Sequence, residues 1–177
     1  MKKTLLSTLL AAASIAMLAP AAHAADGTIT FNGSVVGTTC TINSGTPNFT
    51  VTLPPVSTAS LATAGATAGR TPFAISLTAC APATGNATAY LEPGPTVDTA
   101  TGQLIVAAGG ASNVEIGLLN STFKPIVAGA ASGSQNTDLV SIASGSATLN
   151  MYAQYVAMGA ATAGAANSTI QYTISYQ

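Results

Sequence analysis

The decapeptide GTITFNGSVV, Gly27–Val36, alternates apolar and polar residues without a break as far as Val36. Ile29, Phe31, Gly33 and Val35 fall on one side of an extended chain, and Thr28, Thr30, Asn32 and Ser34 on the other. That period of two is the pattern of a strand with one apolar face. Chain starts are ordinarily polar and frayed unless something ties them down. A strand of this kind so near the start therefore demands a cover for Ile29, Phe31 and Val35.

Upstream, Lys2 and Lys3 precede an apolar run from Leu5 to Leu18, and Ala22-His23-Ala24 supplies a small-x-small triplet. This three-part order predicts a secretory signal over residues 1–24. The apolar run is shorter than the roughly 20 residues a membrane span needs. Residues 25–177 are then one domain's worth of chain, divided by the sequence into an N-terminal extension, 25–36, and a main domain, 37–177.

Cleavage after Ala24 would remove the only histidine, His23, and leave Arg70 and Lys124 against Asp26, Glu92, Asp98, Glu115 and Asp138. Two cations cannot form a basic patch, which excludes nucleic acid and argues against insertion into or binding to an anionic membrane. A surface left to Thr, Ser, Asn and Gly carries little charge, and low charge favours association over dispersal. Cys40 and Cys80 are the only cysteines. In an exported chain they predict one structural disulfide closing a loop of about 40 residues.

Turn signals recur at Ser44 to Pro47, Pro54-Pro55, Gly65 to Gly69, Pro82 to Gly85, Pro93 to Pro95, Gly109-Gly110 and Ser132 to Ser134. Between them lie short runs of period two: Phe73-Ile75-Leu77, Val114-Ile116-Leu118, Leu149-Met151-Ala153-Tyr155 and Ile170-Tyr172-Ile174-Tyr176. Short alternating strands at this spacing, with no amphipathic helix, predict an all-β sandwich. The Ala-rich stretch Leu61 to Ala68 has room for one helical turn, interrupted by Gly65 and Gly69.

The residues of catalysis are missing. A Ser or Thr nucleophile has no histidine to act as its base once residues 1–24 are gone, and no metal or cofactor is expected because no ligand set remains. Glu92 and Asp98 flank Pro93-Gly94-Pro95 and read as loop acids rather than a glycosidase pair. No enzyme is expected. What remains is two amphipathic strands near the chain ends, and an unpaired strand edge invites a strand from another molecule.

On these residues the sequence resembles the pilin subunits of the bacterial chaperone–usher pathway, of the type-1 fimbrial kind. ADGTITFNGSVVGTTC resembles the family's N-terminal extension and first cysteine; VTLPPVSTASLATAGATAGRTPFAISLTAC, Val51–Cys80, resembles the segment leading to the second; GASNVEIGLLN resembles a central strand; and MYAQYVAMGAATAGAANSTIQYTISYQ resembles the C-terminal signature, with Tyr176 penultimate and Gly164 fourteenth from the end. The resemblance implies an incomplete immunoglobulin-like β-sandwich lacking its last strand, completed by donor-strand complementation. It assigns Gly27, Ile29, Phe31, Gly33 and Val35 to the donor strand. It assigns Gly164, Ile170, Tyr172, Ile174, Tyr176 and Gln177 to the groove edge and to chaperone recognition. The partners implied are other pilin subunits, a periplasmic chaperone and an outer-membrane usher, and the place is a fimbria on the cell surface, reached through the periplasm, where adhesion and biofilm formation would follow.

Three other readings compete with a polymerising structural subunit, one of them the receptor-binding tip adhesin of the same system, whose family form has two domains and lacks the N-terminal donor strand. Another is a minor adaptor of the same system. The last is a monomeric secreted carbohydrate-binding sandwich, against which the absence of Trp weighs, because sugar sites usually stack rings.

Overall fold

The alternation Phe73-Ala74-Ile75-Ser76-Leu77 becomes the middle of strand β2 (Thr67–Ala81) in a computed structural model that describes Gly27, Ile29, Thr30, Gly37 and residues 39–177. The predicted signal, 1–24, and Phe31, Gly33 and Val35 of the predicted donor strand lie outside the described residues. The fold below is that of the unit Val35–Gln177. Among the described residues no helix is long and apolar enough to cross a membrane.

Strand β1 (Thr39–Ile42) precedes β2, and β3 (Gly85–Leu91), β4 (Leu104–Ile105), β5 (Val114–Leu119), β6 (Pro125–Ile126), β7 (Val140–Ile142), β8 (Ala147–Ala157) and β9 (Tyr172–Tyr176) follow. One sheet runs β1-β2-β8-β5-β4, with β6 also pairing β5; the other runs β7-β3-β9. All pairings are antiparallel.

Period two decides which side chains go inside. Ile75 and Leu77 of β2, Leu149, Met151 and Ala153 of β8, and Ile116 and Leu118 of β5 meet Ala87, Ala89 and Leu91 of β3 and Ile174 of β9 in a single core between the sheets. The register Ile75↔Leu149 and Phe73↔Met151 puts apolar residues opposite each other across β2 and β8. A slip of one residue would turn each set to solvent, so burial on one face fixes the pairing.

β2 is not continuous in register. It shifts between Ala68 and Thr71, where Gly69 takes a φ of +67°. A bulge of this kind bends the strand, and glycine adopts that backbone without a steric cost.

The predicted sandwich and its four alternating runs are found. The helical turn in the Ala-rich stretch is displaced: a 3-10 turn spans Thr58–Leu61, begun by Ser57, whose hydroxyl accepts the Ala59 N–H at 3.0 Å. Gly65, at φ +84°, ends any continuation, and Thr67 and Ala68 join β2 instead. The last run is shorter than its sequence pattern, since Ile170 and Gln171 precede β9 rather than belong to it. Cys40 and Cys80 are joined as a disulfide across the β1–β2 pair.

Candidate functional site

β9 is the element that matters, because of which way its backbone points. Gln177 and Asn86 exchange both hydrogen bonds, Gln177 N–H to Asn86 O at 2.9 Å and Asn86 N–H to Gln177 O at 2.8 Å. Glu92 N–H reaches Gln171 O at 2.9 Å at the other end of the strand. In an antiparallel ladder, hydrogen-bonded and non-bonded pairs alternate. Gln171, Thr173, Ser175 and Gln177 therefore face β3 with their N–H and C=O groups. The same groups of Tyr172, Ile174 and Tyr176 point the other way, and no strand among the described residues pairs with that edge.

The side chains of the outward-bonding residues turn inward. Ile174 is buried, while Tyr172, Tyr176 and the preceding Ile170 pack on the core but remain half-buried. The edge thus offers backbone and apolar side chains together. A strand that docked there would gain ladder bonds and burial at once.

Across the mouth beside β9, the segment 47–56 runs without pairing in either sheet. The Phe49 ring lies 6.3 Å from that of Phe73 on β2 and 6.3 Å from that of Tyr172 on β9, and stays 42 % exposed. Phe49 therefore spans the two sheets without sealing the gap. The Tyr172 hydroxyl donates to Pro47 O at 2.8 Å, and burial raises its pKa. Phe49-Thr50-Val51-Thr52-Leu53 is itself a run of period two, the signal that could have found this segment in the sequence.

An apolar cavity of about 330 Å³ lies in the same unit, between the Thr58–Leu61 turn, the start of β5 and the loop 158–171. Leu53, Val56, Leu61, Val114 and Tyr155 line it, and so does Gly164. Gly164 is not on the terminal strand with the other signature residues. It sits in that loop, where Ala111 N–H donates to Ala165 O at 2.7 Å, and a Cβ on Gly164 would come within 2.6 Å of Ala111 N. Its lack of a side chain is what lets the loop lie against Gly110 and Ala111. Gly27 and Ile29, the two described members of the predicted donor strand, are exposed.

Glu92 and Asp98, the two loop acids, are engaged by separate groups. Glu92 accepts the Thr173 hydroxyl at 2.6 Å, and Asp98 accepts the Ala100 N–H at 2.8 Å as the cap of a turn. That N–H holds the Asp98 carboxyl below the usual carboxylate range, whereas burial pushes Glu115 up. Among the described residues no group of three or more His, Cys, Asp or Glu is placed to hold a metal ion.

The terminal strand of this sandwich thus displays, among the described residues, an open ladder edge beside a partly covered apolar face. The model of the family "Fimbrial protein" matches residues 29–177. "Major fimbrial subunit SMF-1" of Stenotrophomonas maltophilia (strain K279a) is 52% identical over 163 residues, covering 88% of this chain and 95% of that one. "F17 fimbrial protein" of Escherichia coli is 48% identical, over 98% and 97% of the two chains. A solved chaperone–usher pilus shares the fold with a TM-score of 0.63 at 22% identity, covering 90% of this chain and 100% of that one. The chain belongs to the fimbrial protein family. It is a structural pilin with the immunoglobulin-like fold of chaperone–usher subunits.

Proposed function

We propose that this pilin polymerises by donor-strand exchange, inserting the strand Gly27–Val36 of one copy along the open edge of β9 in the next. The observation that carries the reading is the outward set of N–H and C=O groups at Tyr172, Ile174 and Tyr176, with Ile170, Tyr172 and Tyr176 half-buried beside it. Ile29, Phe31 and Val35 would fill successive positions between the sheets, with Gly33 where the approach is tightest. Each such side chain contributes about 1.5–3 kcal/mol on burial, and each ladder bond about 0.5–1.5 kcal/mol net. A junction built this way opens slowly.

In the same reading, residues 1–24 direct export and are removed, a periplasmic chaperone lends β9 a strand, and an outer-membrane usher exchanges that strand for the next subunit's extension. The product is a surface fibre that supports adhesion and biofilm formation. Gly164 and the cavity it lines would take part in closing one end of the groove, and Gln177 in chaperone recognition. The nature of the relatives, one of them a major subunit, favours the shaft of the fibre over an adaptor position.

The test compares residues 25–177 with a chain from which 25–36 are removed and a copy of Gly27–Val36 is fused after Gln177 by a flexible linker. A large rise in melting temperature with a clean monomer is the expected result. Equal melting of two monomeric chains would mean a sandwich already complete. In the unfused chain, Phe31→Arg is expected to leave the melting temperature unchanged and to abolish fibre growth; fibres of normal length from that variant contradict the reading.

A further inference from the structure

A second concave surface lies on the opposite side of the smaller sheet, and apart from Gln177 at its rim it shares no side chain with the assembly edge of β9. Alternation along β3 sends Ala87, Ala89 and Leu91 into the core and leaves Thr88 and Tyr90 outside. On β9 the same rule turns Ser175 outward, with Gln177 beyond it. The loop 131–139 folds over these strands and encloses a cleft of about 540 Å³, lined by Thr88, Tyr90, Asn136, Thr137, Ser175 and Gln177 among others.

The cleft is built, not merely left between mobile loops. Gln135 is only 1 % exposed. Its amide accepts the Leu91 N–H at 2.8 Å and donates to Leu91 O at 2.7 Å and to Ala130 O at 3.0 Å, so the loop is bolted to the end of β3. Asn136 donates to Pro125 O at 2.8 Å, and Asn120 donates to Asn136 O at 3.1 Å. The Thr88 and Thr137 hydroxyls meet at 3.1 Å across the cleft. Tyr90 adds a half-buried ring.

The lining decides the ligand class. It presents hydroxyls and amides, the Tyr90 ring, the exposed Leu139 and no charged side chain; Asp138, between two lining residues, is engaged by the Ser121 N–H at 2.8 Å. An anion entering such a site would lose hydration with no cationic side chain to meet it. An apolar molecule would strip water from hydroxyls and leave them unpaired. A neutral polyhydroxylated ring satisfies both, offering hydroxyls to Thr, Ser, Asn and Gln and a face to Tyr90, in a volume within the ordinary range for small-ligand sites.

We propose that this cleft binds a neutral saccharide, giving every subunit along a fibre a weak sugar site on its flank. The site shares β9 with the assembly edge but uses the opposite side chains, and the backbone groups of Ser175 and Gln177 face β3. It therefore stays open while the edge is covered. Many weak copies on one polymer would act together through avidity.

The test is saturation-transfer NMR and titration on the full processed chain with two sets of probes. Galactose-terminated oligosaccharides stand for animal-surface glycans and β-glucan fragments for matrix polysaccharide; sialylated counterparts serve as charged controls. Saturation transfer to neutral sugars of either set is expected, and which set binds tighter distinguishes the two sources. Tyr90→Ala should weaken binding about tenfold, and Thr88→Val, which keeps the shape and removes one hydroxyl, several-fold. No transfer to any neutral probe, preference for the sialylated sugars, or equal affinity in both cleft variants would overturn the proposal. So would concentration-dependent shifts of Tyr90 without sugar, which would make the cleft a contact between copies.

Discussion

Strand β8 lies between β2 and β5 and is hydrogen-bonded along both edges, whereas β9 is bonded to β3 along one edge and, among the described residues, to nothing along the other. Both carry the same alternation, Leu149-Met151-Ala153 in one and Tyr172-Ile174-Tyr176 in the other. In β8 the three apolar residues are buried; in β9 only Ile174 is, with a tyrosine half-buried on each side. Identical patterning thus records that a face is apolar, not whether the fold has finished covering it. Aromatic residues with a polar tip suit the second circumstance, because they tolerate water until a partner arrives.

Substitutions separate the two strands. The largest effect is expected in the finished one: Met151→Asp, a carboxylate between two paired strands, should prevent folding outright, as read by loss of soluble, cooperatively melting protein. Breaking the covalent tie comes next. Replacing Cys40 and Cys80 together by Ser should cost about 2–5 kcal/mol in denaturant titrations, since the bond anchors the short β1 to β2. Gly164→Ala should cost about 1–3 kcal/mol, because the added methyl meets Ala111 N and the loop 158–171 must lift; a variant as stable as the parent would remove the packing reason for that glycine.

The smallest effect concerns a charge. Burial raises the Glu115 pKa, with Asp98 nearby adding to it, so the folded state prefers Glu115 protonated. The corresponding stability is present at low pH and lost as the pH rises through that raised value. Glu115→Gln should therefore melt about a degree higher than the parent at pH 7 and together with it at pH 3, where both are neutral. A lower melting temperature at pH 7 would mean that the Thr101–Glu115 hydrogen bond, 3.1 Å long, outweighs desolvation.

The sandwich was legible because Phe73-Ile75-Leu77 and Leu149-Met151-Ala153 use large side chains at period two. β3 was not, although it is central to its sheet, because its inward residues include Ala87 and Ala89, which carry little hydrophobic contrast, and its first residue closes the turn signal Pro82 to Gly85. The terminal edge was legible as a pattern in Ile170 to Tyr176, but which backbone groups are free depends on the register Asn86↔Gln177, and register is a relation between distant segments. Phe49 carried a readable alternation that Pro47 and Pro54-Pro55 obscured. Gln135 carried none: a buried glutamine between Ser134 and Asn136 reads as loop in any sequence, and only the free groups at the end of β3 explain it.

Amide hydrogen exchange along β9 tests the central claim most directly. In the chain without its extension, Thr173, Ser175 and Gln177 should be protected and Tyr172, Ile174 and Tyr176 should exchange fast; in the chain carrying Gly27–Val36 fused after Gln177, all six should be protected. Protection of Tyr172, Ile174 and Tyr176 before the strand is supplied, or their continued fast exchange once it is, would contradict the account.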